Sequence, residues 1–504
     1  MQITNGPTLS VPSTAFVNRT APPSDTTVTM PLANTHYDLI VIGSGPAGQK
    51  AATTAAKLGK SVVLIDRSDS VGGVCIHTGT IPSKAIREAV LHLTGLRERA
   101  MYGASYAVKH DIKMSDLLYR TQYVVRTQVD VIREQMSRCG VRLVYGDASF
   151  VDANTIKVER GGDIVELRGT HVLIAVGTEP ARPNTVPFTP GKVIDSNELL
   201  LMKDLPKSMI IVGGGVIGTE YTCMLAAVGL DVTLVESRPR LMEFVDDEMA
   251  ESLQFRLRDL GVRLRLGESV AKIEVNAEGV VEATLASNKV LRAETLMYAI
   301  GRQGATDALN LQSCGLTADK RGRLTVNEVY QTTVPHIYAA GDVIGFPALA
   351  ATSIEQGRVA ACHMFQELSE APNTLYPIGI YSIPEISMIG ATEQQLTKDG
   401  VPYEVGLARY RDIARGQLAS DPHGCLKLIF HPHSRRLLGV HAIGTGATEL
   451  IHIGQAVMTA GMTIDYFVES IFNYPTLAEA YKIAATDGLS RVVGSNHVDI
   501  AKAA

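Results

Sequence analysis

The chain has 504 residues, which at about 150 residues per domain corresponds to three or four domains. Its 47 lysines and arginines against 52 aspartates and glutamates leave a net charge of −5, so it has no polybasic excess for nucleic acid or anionic lipid. Hydrophobic residues make up 45% and charged residues 20%, a composition typical of a folded globular protein rather than a disordered one.

Compartment and targeting follow from simple patterns. Six scattered cysteines without a C-x-x-C pair favour a reducing cytoplasm over a secreted disulfide scaffold. No uninterrupted apolar stretch is long enough to predict a membrane span. Residues 1–36 lack the charged and apolar regions of a signal peptide, so we expect a disordered N-terminal extension. His423, Cys425, His431 and His433 flank a predicted hairpin, and we predict no metal site.

The chain proper begins at Tyr37 with an apolar strand, a glycine turn, a small-residue helix and a second strand that ends at Asp66. In such a βαβ unit the first glycine permits the turn, the second leaves room for a pyrophosphate and the third allows close helix packing. The acid 23 residues after the first glycine can accept hydrogen bonds from ribose hydroxyls. The turn is Gly43-Ser44-Gly45-Pro46-Ala47-Gly48.

The same pattern returns from Ser208 to Glu236, again with the acid 23 residues after the first glycine. Its turn is Gly213-Gly214-Gly215-Val216-Ile217-Gly218. Two dinucleotide sites in one chain predict a bound flavin and an exchanging nicotinamide. Glu236 favours the free ribose hydroxyls of NAD, whereas Arg238 and Arg240 lie where an NADP enzyme places its positive charges. A compromise that accepts both nucleotides is the hypothesis that we adopt.

The rest of the chain shows helices and short strands. We predict helical structure over Ala85–Cys139, strands over Thr155–Val158 and Val165–Leu167, and a helix from about Ala350. From Leu375 the pattern changes to strands and hairpins followed by helices, which predicts a third, α+β domain.

One segment carries a family resemblance. Residues 72–85, GGVCIHTGTIPSKA, resemble the active-site segment of the flavoprotein disulfide reductases, and the resemblance extends over residues 37–492. That family has a second cysteine five residues after the first, where this chain has Thr80. It also has a base histidine at the position where this chain has Tyr474. Without a second sulfur no internal disulfide can form to take electrons from the flavin, so disulfide reduction is not expected.

Within the family, this departure is similar to that of the soluble pyridine nucleotide transhydrogenases. The resemblance implies bound FAD, with NAD(H) and NADP(H) as substrates of the reaction NADPH + NAD⁺ ⇌ NADP⁺ + NADH. Hydride would pass through flavin N5 with ping-pong kinetics. It also implies a cytoplasmic homodimer, or a larger homo-oligomer, with the architecture of glutathione reductase: two Rossmann-like α/β domains and a C-terminal α+β dimerisation domain. The predicted boundaries are 37–185 and 304–373 for FAD, 186–303 for NAD(P) and 374–495 for dimerisation.

The resemblance also assigns residues. Lys84 matches the lysine beside flavin N5, Glu220 its ion-pair partner, and Asp342 the contact to the ribityl chain. Cys75, Thr80, Tyr474 and Glu479 complete the predicted catalytic set. The further cofactor-binding positions are Arg67, Gly72, Gly73, Val74, Ala148, Gly177, Arg302 and Gly341 for FAD, and Gly213, Gly215, Ile217, Gly218, Glu236, Arg238 and Gly301 for the nicotinamide nucleotide.

Two alternatives stay open from the sequence. An NAD(P)H diaphorase, a quinone reductase or an oxidase that uses Cys75 would share almost all of these residues. A non-catalytic redox sensor on the same fold is the alternative from another class, although the intact glycine turns disfavour it. For Cys75 itself we favour a packed small residue beside the flavin over a reactive thiol.

Overall fold

The computed structural model describes residues 35–367 and 375–493. The predicted disordered extension therefore lies almost entirely outside the described residues, as does the predicted boundary between residues 373 and 374. Within the described ranges, no helix combines the length and the apolar character that crossing a membrane would require.

The first glycine turn belongs to a seven-stranded sheet. The elements up to its longest strand are β1 (His36–Ile42), α1 (Pro46–Lys57), β2 (Val62–Asp66), α2 (Gly73–His77), α3 (Thr80–Thr94), α4 (Arg99–Tyr102), α5 (Met114–Arg138), β3 (Arg142–Tyr145), β4 (Asp147–Phe150), β5 (Thr155–Arg160) and β6 (Asp163–Ile174). Strands β3, β2, β1 and β6 pair in parallel in that order; β5 then pairs antiparallel with β6, and β4 pairs antiparallel with β5.

The burial of its central strands is consistent with the parallel pairing in this sheet. The last four residues of β1 and all of β2 are buried, as expected for parallel strands covered on both faces. The prediction of helix over Ala85–Cys139 is wrong in one respect, because the structure divides that segment into α3, α4 and α5. Gly95 ends α3 in the left-handed conformation at φ 60°, and Gly103 ends α4 at φ 97°.

The second glycine turn lies in a separate sheet of five parallel strands. The elements of this region are β7 (Thr178–Pro180), β8 (Val193–Ile194), α6 (Ser196–Leu199), β9 (Ser208–Val212), α7 (Val216–Ala227), β10 (Asp231–Glu236), α8 (Asp247–Asp259), β11 (Arg263–Leu266), β12 (Val270–Val275), β13 (Val281–Leu285), β14 (Val290–Ala293), β15 (Thr295–Tyr298) and β16 (Arg302–Gly304). The strand order is β11-β10-β9-β15-β8; β12, β13 and β14 form an antiparallel sheet, and β7 pairs with β16.

The chain then returns to the first sheet and continues into a third unit. The remaining elements are β17 (Ile337–Ala339), α9 (Ala350–Met364), β18 (Ile378–Ile380), β19 (Ile386–Gly390), α10 (Glu393–Asp399), β20 (Glu404–Arg409), α11 (Ala414–Leu418), β21 (Cys425–Phe430), β22 (Leu437–Ile443), α12 (Ala447–Thr459), α13 (Asp465–Glu469) and α14 (Glu479–Val493). Short 3₁₀ turns cover Asp307–Leu309, Leu311–Cys314, Asp342–Ile344 and Tyr410–Asp412.

Strand β17 pairs with β6 in parallel, which brings the segment after residue 304 back beside the first glycine turn. The last sheet is antiparallel, in the order β18-β19-β22-β21-β20, and α14 lies so close to β20 that a Cβ on Gly406 would be 1.9 Å from the Ala484 carbonyl oxygen. Two parallel α/β units and a C-terminal α+β unit confirm the predicted fold class. The exact domain boundaries stay predictions.

Candidate active site

A cleft of about 590 Å³ opens where β1, β2, β6 and β17 end. Ligands of parallel α/β sheets bind beyond the carboxyl ends of the strands, as at this position. Fourteen of the residues predicted for FAD or for catalysis line it: Gly43, Gly45, Pro46, Ala47, Asp66, Arg67, Gly73, Val74, Cys75, Thr80, Ala148, Gly177, Gly341 and Asp342.

In the first glycine turn, Gly45 leaves space for a ligand and Gly48 allows the helix to pack closely. No atom of the described ranges lies within 4 Å of where a Cβ on Gly45 would be, so the space beside it in the cleft is open. A Cβ on Gly48 would be 1.9 Å from the Gly43 carbonyl oxygen, which makes close contact between α1 and β1 dependent on glycine. Helix α1 starts with Pro46, and no side chain of the described residues caps it, so its N-terminal backbone N–H groups can donate to a ligand in the cleft. These residues fit a dinucleotide.

Asp66 ends β2 beside that turn. Its carboxylate accepts hydrogen bonds from the Ser44 backbone N at 2.9 Å, from the Ser44 hydroxyl and from the Ser68 backbone N at 2.8 Å. Because an ionised carboxylate has about four lone-pair sites, capacity remains for a ribose hydroxyl. Arg67 forms an ion pair with Glu179 at the rim.

Three residues predicted to bind FAD do not line the cleft but support the segments that form its walls. Gly48 packs against the turn as described, and the Gly72 backbone N donates to the Ser44 hydroxyl at 2.9 Å. Arg302 donates from Nε to the Thr178 hydroxyl at 2.8 Å and from Nη2 to its carbonyl at 2.7 Å. Burial raises the pKa of Asp342, although Arg302 and Thr178 oppose that rise.

Cys75 and Thr80 lie together in the cleft. Burial raises the pKa of the Cys75 thiol, and the Asp342 carboxylate adds to the rise, while a hydrogen bond with Thr80 and the charge of Lys84 oppose it. All six cysteines of the chain are free thiols. The arrangement therefore holds one protonated thiol where a disulfide reductase would hold two sulfurs.

Lys84 and Glu220 form an ion pair between α3 and α7, as predicted. Lys84 Nζ lies 2.9 Å from Glu220 Oε2 and 3.0 Å from Oε1, and the carboxylate side chain is only 5% exposed. Sequence analysis missed a third member. Tyr381, which follows β18, donates its backbone N–H to Glu220 Oε1 at 2.8 Å, and its ring centroid lies 4.8 Å from Lys84 Nζ.

The second glycine turn repeats the first. A Cβ on Gly218 would be 1.9 Å from the Gly213 carbonyl oxygen, and nothing lies within 4 Å of a Cβ on Gly215. Ile217 lies in the first turn of α7, which no side chain caps, and Gly301 follows β15 with φ 81°. At the end of β10, Glu236 is ion-paired with Arg238, so the two predicted specificity residues are already in contact with each other.

Four of the six predicted catalytic residues do not line the cleft: Lys84 and Glu220, which form the ion pair described above, and two that lie elsewhere. Tyr474 is 73% exposed and Glu479 begins α14, and neither lines the cleft. Glu479 Oε2 is buried and has no hydrogen-bond partner within the described residues. The structure of the single chain does not bring them to the other predicted residues.

Sequence analysis also missed part of the wall formed by β7 and α6. Arg182 pairs with Asp195 at 2.8 Å, and both residues line the cleft together with Asn197, whose Oδ1 is buried and finds no hydrogen-bond partner in the described part of the chain. The serine between Gly43 and Gly45 could have been recognised from its place in the motif, whereas the wall residues belong to no motif that the sequence displays.

Comparison with family models decides the family. Residues 37–357 match the model described as pyridine nucleotide-disulphide oxidoreductase, and residues 376–485 match the dimerisation domain of the same family. The chain belongs to this family. The predicted flavoprotein disulfide reductase resemblance is thereby confirmed.

Similar sequences show which branch of the family this chain resembles. Soluble pyridine nucleotide transhydrogenases of Mycobacterium bovis (strain BCG / Pasteur 1173P2) and Mycobacterium tuberculosis (strain ATCC 25177 / H37Ra) are each 54% identical over 462 residues, which is 91% of this chain and 98% of theirs. The transhydrogenase of Colwellia psychrerythraea is 43% identical over 461 residues, 90% of this chain and 98% of its own. The predicted similarity to the transhydrogenase branch is confirmed.

Solved structures share the fold. The HOCl-induced flavoprotein disulfide reductase RclA from Escherichia coli matches with a TM-score of 0.80 and 28% identity, over 89% of this chain and 99% of that chain. LpdA from Mycobacterium tuberculosis matches with a TM-score of 0.82 and 25% identity, over 90% and 99%. The architecture of two nucleotide units and a dimerisation unit is that of this family.

Proposed function

We propose that this protein is an FAD-dependent soluble transhydrogenase that catalyses NADPH + NAD⁺ ⇌ NADP⁺ + NADH. The observation that carries the proposal is the cleft segment in which Cys75 has Thr80, not a second cysteine, as its neighbour. Relatives with this name are 43–54% identical over about nine-tenths of the chain. An oxidoreductase with two dinucleotide turns and no second sulfur can return electrons to a nucleotide but cannot form the internal disulfide.

FAD would be held in the cleft. Gly45 and the uncapped N-terminus of α1 would meet the pyrophosphate, Asp66 the ribose and Asp342 the ribityl chain. FAD would supply a ring that accepts and returns a hydride. Asn197 Oδ1 is a further acceptor available on the opposite wall.

Lys84 would place a fixed cation beside the reacting ring. Glu220 holds the ammonium group from one side, and the Tyr381 ring covers another, so the cation needs little reorganisation during the reaction. The side chain of Lys84 is 26% exposed against 5% for Glu220, so the cation is the more accessible member of the pair.

The second turn would take both nicotinamide nucleotides in succession. Gly215 and the N-terminus of α7 would meet the pyrophosphate, and Glu236 with Arg238 would meet the adenosine ribose. Because NADPH and NAD⁺ would share this one site, the first product leaves before the second substrate binds, which predicts ping-pong kinetics.

Assembly and compartment belong to the same proposal. The dimerisation domain match supports a homodimer, in which Tyr474 and Glu479 would approach the cleft of the second subunit, and a cytoplasmic location fits the scattered free thiols. The domain boundaries given above are part of this proposal.

Steady-state kinetics test the function. With FAD-loaded enzyme, NADPH and thio-NAD⁺, we expect turnover and parallel double-reciprocal lines when one nucleotide is varied at several levels of the other. A quinone that accepts electrons where thio-NAD⁺ does not would favour the diaphorase alternative. Protein that cannot be loaded with FAD would favour the non-catalytic sensor.

A further inference from the structure

The carboxylate of Glu236 has no acceptor capacity left for a ribose. Oε2 accepts from the Gly214 backbone N at 2.6 Å and from Arg238 Nη2 at 3.0 Å. Oε1 accepts from the Ser237 hydroxyl at 3.2 Å, the Arg238 backbone N at 2.9 Å and Arg238 Nε at 2.8 Å. These five donors exceed the roughly four lone-pair sites of a carboxylate.

The corresponding acid of the first site shows the contrast. Among the described residues, Asp66 accepts only from Ser44 and Ser68, and the arginine that follows it is paired with Glu179 instead. Both acids end the second strand of their βαβ unit, so the difference lies in the arginine and not in the fold. Asp66, in the site proposed to hold its nucleotide permanently, keeps acceptor capacity, whereas the acceptors of Glu236, in the site proposed to exchange nucleotides, are occupied.

Arg238 is far more exposed than the acid that it covers, and the neighbouring arginine has partners of its own. The side chain of Arg238 is 40% exposed, while that of Glu236 is 5% exposed. Arg240 is ion-paired with Asp247 and donates to the Glu243 carbonyl at 3.3 Å. The loop that carries both arginines is therefore anchored at Arg240, while the side chain of Arg238 is partly open to solvent.

The far end of this loop is fixed to the C-terminal unit. Asp246, which precedes α8, accepts from the buried Lys427 of β21 at 2.8 Å, and Lys427 also contacts Glu248 and Glu393. Gln394 donates to the Val245 carbonyl at 3.0 Å. A loop fixed at this end keeps the place of Arg238 constant while its guanidinium group changes partner.

Glu236 is charged while Arg238 is paired with it. Burial by itself would raise its pKa, but the hydrogen bonds from Arg238 and Gly214 lower the pKa to about 2. An ionised acid next to a 2′-phosphate would repel it unless a cation lies between them. The same acid attracts ribose hydroxyls once its oxygens are free.

We propose that Arg238 is the specificity switch of the exchanging site: its guanidinium group leaves Glu236 when NAD(H) binds and bridges Glu236 and the 2′-phosphate when NADP(H) binds. This inference rests on the proposed function for its two substrates. The Arg238 side chain would then have opposite effects on the binding of the two nucleotides. Arg238 opposes NAD binding, because its fork occupies the acceptors that the ribose hydroxyls need, and supports NADP binding through charge-assisted hydrogen bonds.

Redox-inert ligands test this without any turnover. Calorimetric titration of the FAD-loaded Arg238→Leu variant should give ADP-ribose binding about three- to tenfold tighter than in the parent and 2′-phospho-ADP-ribose binding at least about tenfold weaker. Glu236→Gln should do the reverse, with weaker ADP-ribose and tighter 2′-phospho-ADP-ribose. Since neither ligand carries a nicotinamide, a failure of transhydrogenation would leave this result unaffected.

Arg263→Leu is the matched control. Arg263 pairs with Asp231 at 2.6 Å, at the opposite end of the strand that Glu236 ends, so the variant removes the same charge from the same unit. We expect both affinities to stay at parental values. ADP-ribose affinity that is unchanged or weaker in Arg238→Leu would overturn the proposal, and so would equal losses for both ligands in Glu236→Gln.

Discussion

Lys84 Nζ lies within 3.0 Å of both carboxylate oxygens of Glu220, and the pair joins segments 136 residues apart. Glu220 is buried and Lys84 is partly exposed, so the geometry presents the cation while the anion is hidden. An ion pair of this kind is sensitive to loss of one member, because the other is left without its partner.

Glu220→Gln should therefore affect both stability and turnover. We expect the free energy of unfolding of the FAD-loaded protein to fall by about 1–3 kcal/mol, and kcat to fall by at least about tenfold, because Lys84 is no longer held. Chemical denaturation and steady-state kinetics measure the two. Glu282→Gln, which breaks a solvent-screened pair with Arg292, should leave stability close to that of the parent. Equal effects of the two variants would contradict the role given to Glu220.

The Tyr381 ring predicts a difference between two substitutions. Tyr381→Phe keeps an aromatic face towards the Lys84 ammonium group and should keep kcat and its pH profile close to those of the parent, whereas Tyr381→Leu should lower kcat with little change in KM. The backbone N–H donated to Glu220 is present in both variants. Equal losses of kcat in both, or a pure KM effect in the leucine variant, would show that the ring does not position Lys84.

The thiol of Cys75 gives a pH dependence. Because burial raises its pKa above the ordinary value of 9.0, the thiol is protonated between pH 7 and 9, and the reactive thiolate grows only at higher pH. Iodoacetamide should therefore label Cys75 more slowly than it labels N-acetylcysteine at neutral pH, with a rate that rises above pH 9. Mass spectrometry of the Cys75 peptide measures this. Labelling faster than that of the small thiol at pH 7 would support the oxidase alternative.

Substitutions in the two glycine turns should weaken the binding of different ligands: FAD in the first turn and ADP-ribose in the second. Alanine is compatible with the backbone at Gly45 and Gly215, where φ is −67° and −76°, but its Cβ would enter the space in which we propose that a pyrophosphate binds. Gly45→Ala should weaken FAD binding without lowering the melting temperature of the FAD-free protein. Gly215→Ala should keep FAD and weaken the binding of ADP-ribose.

The clash at Gly48 provides the comparison. Its Cβ would meet the Gly43 carbonyl oxygen, so Gly48→Ala should lower the melting temperature as well as FAD content. FAD fluorescence after denaturation and thermal melting give both readouts. Unaltered FAD content in Gly45→Ala, with intact folding, would contradict the placement of the pyrophosphate beside Gly45.

What the sequence predicted well is local. The turns from Gly43 and Gly213, and the acids that follow each by 23 residues, are contained in single βαβ units, where spacing alone determines which residues meet. The helix after Ala85 was less predictable, since Gly95 and Gly103 interrupt a pattern whose apolar residues continue on both sides.

What the sequence could not provide depends on distant segments or on side-chain direction. Tyr381 lies 161 residues from Glu220, and nothing in its local sequence marks it as a neighbour. Glu236 and Arg238 are separated by one residue, yet their spacing does not tell whether the arginine points towards the acid or into solvent. Only the structure shows that the two opposing specificity residues are bonded to each other.

A rapid-mixing experiment tests the central claim most directly. NADPH is mixed anaerobically with the FAD-loaded enzyme, the excess nucleotide is removed, and thio-NAD⁺ is added while the visible absorbance of the bound flavin is followed. We predict that NADPH bleaches the flavin and that thio-NAD⁺ restores it at a rate no slower than kcat, with stoichiometric formation of thio-NADH. Bleaching that oxidised lipoamide or glutathione disulfide reverses, and that thio-NAD⁺ does not, would contradict it.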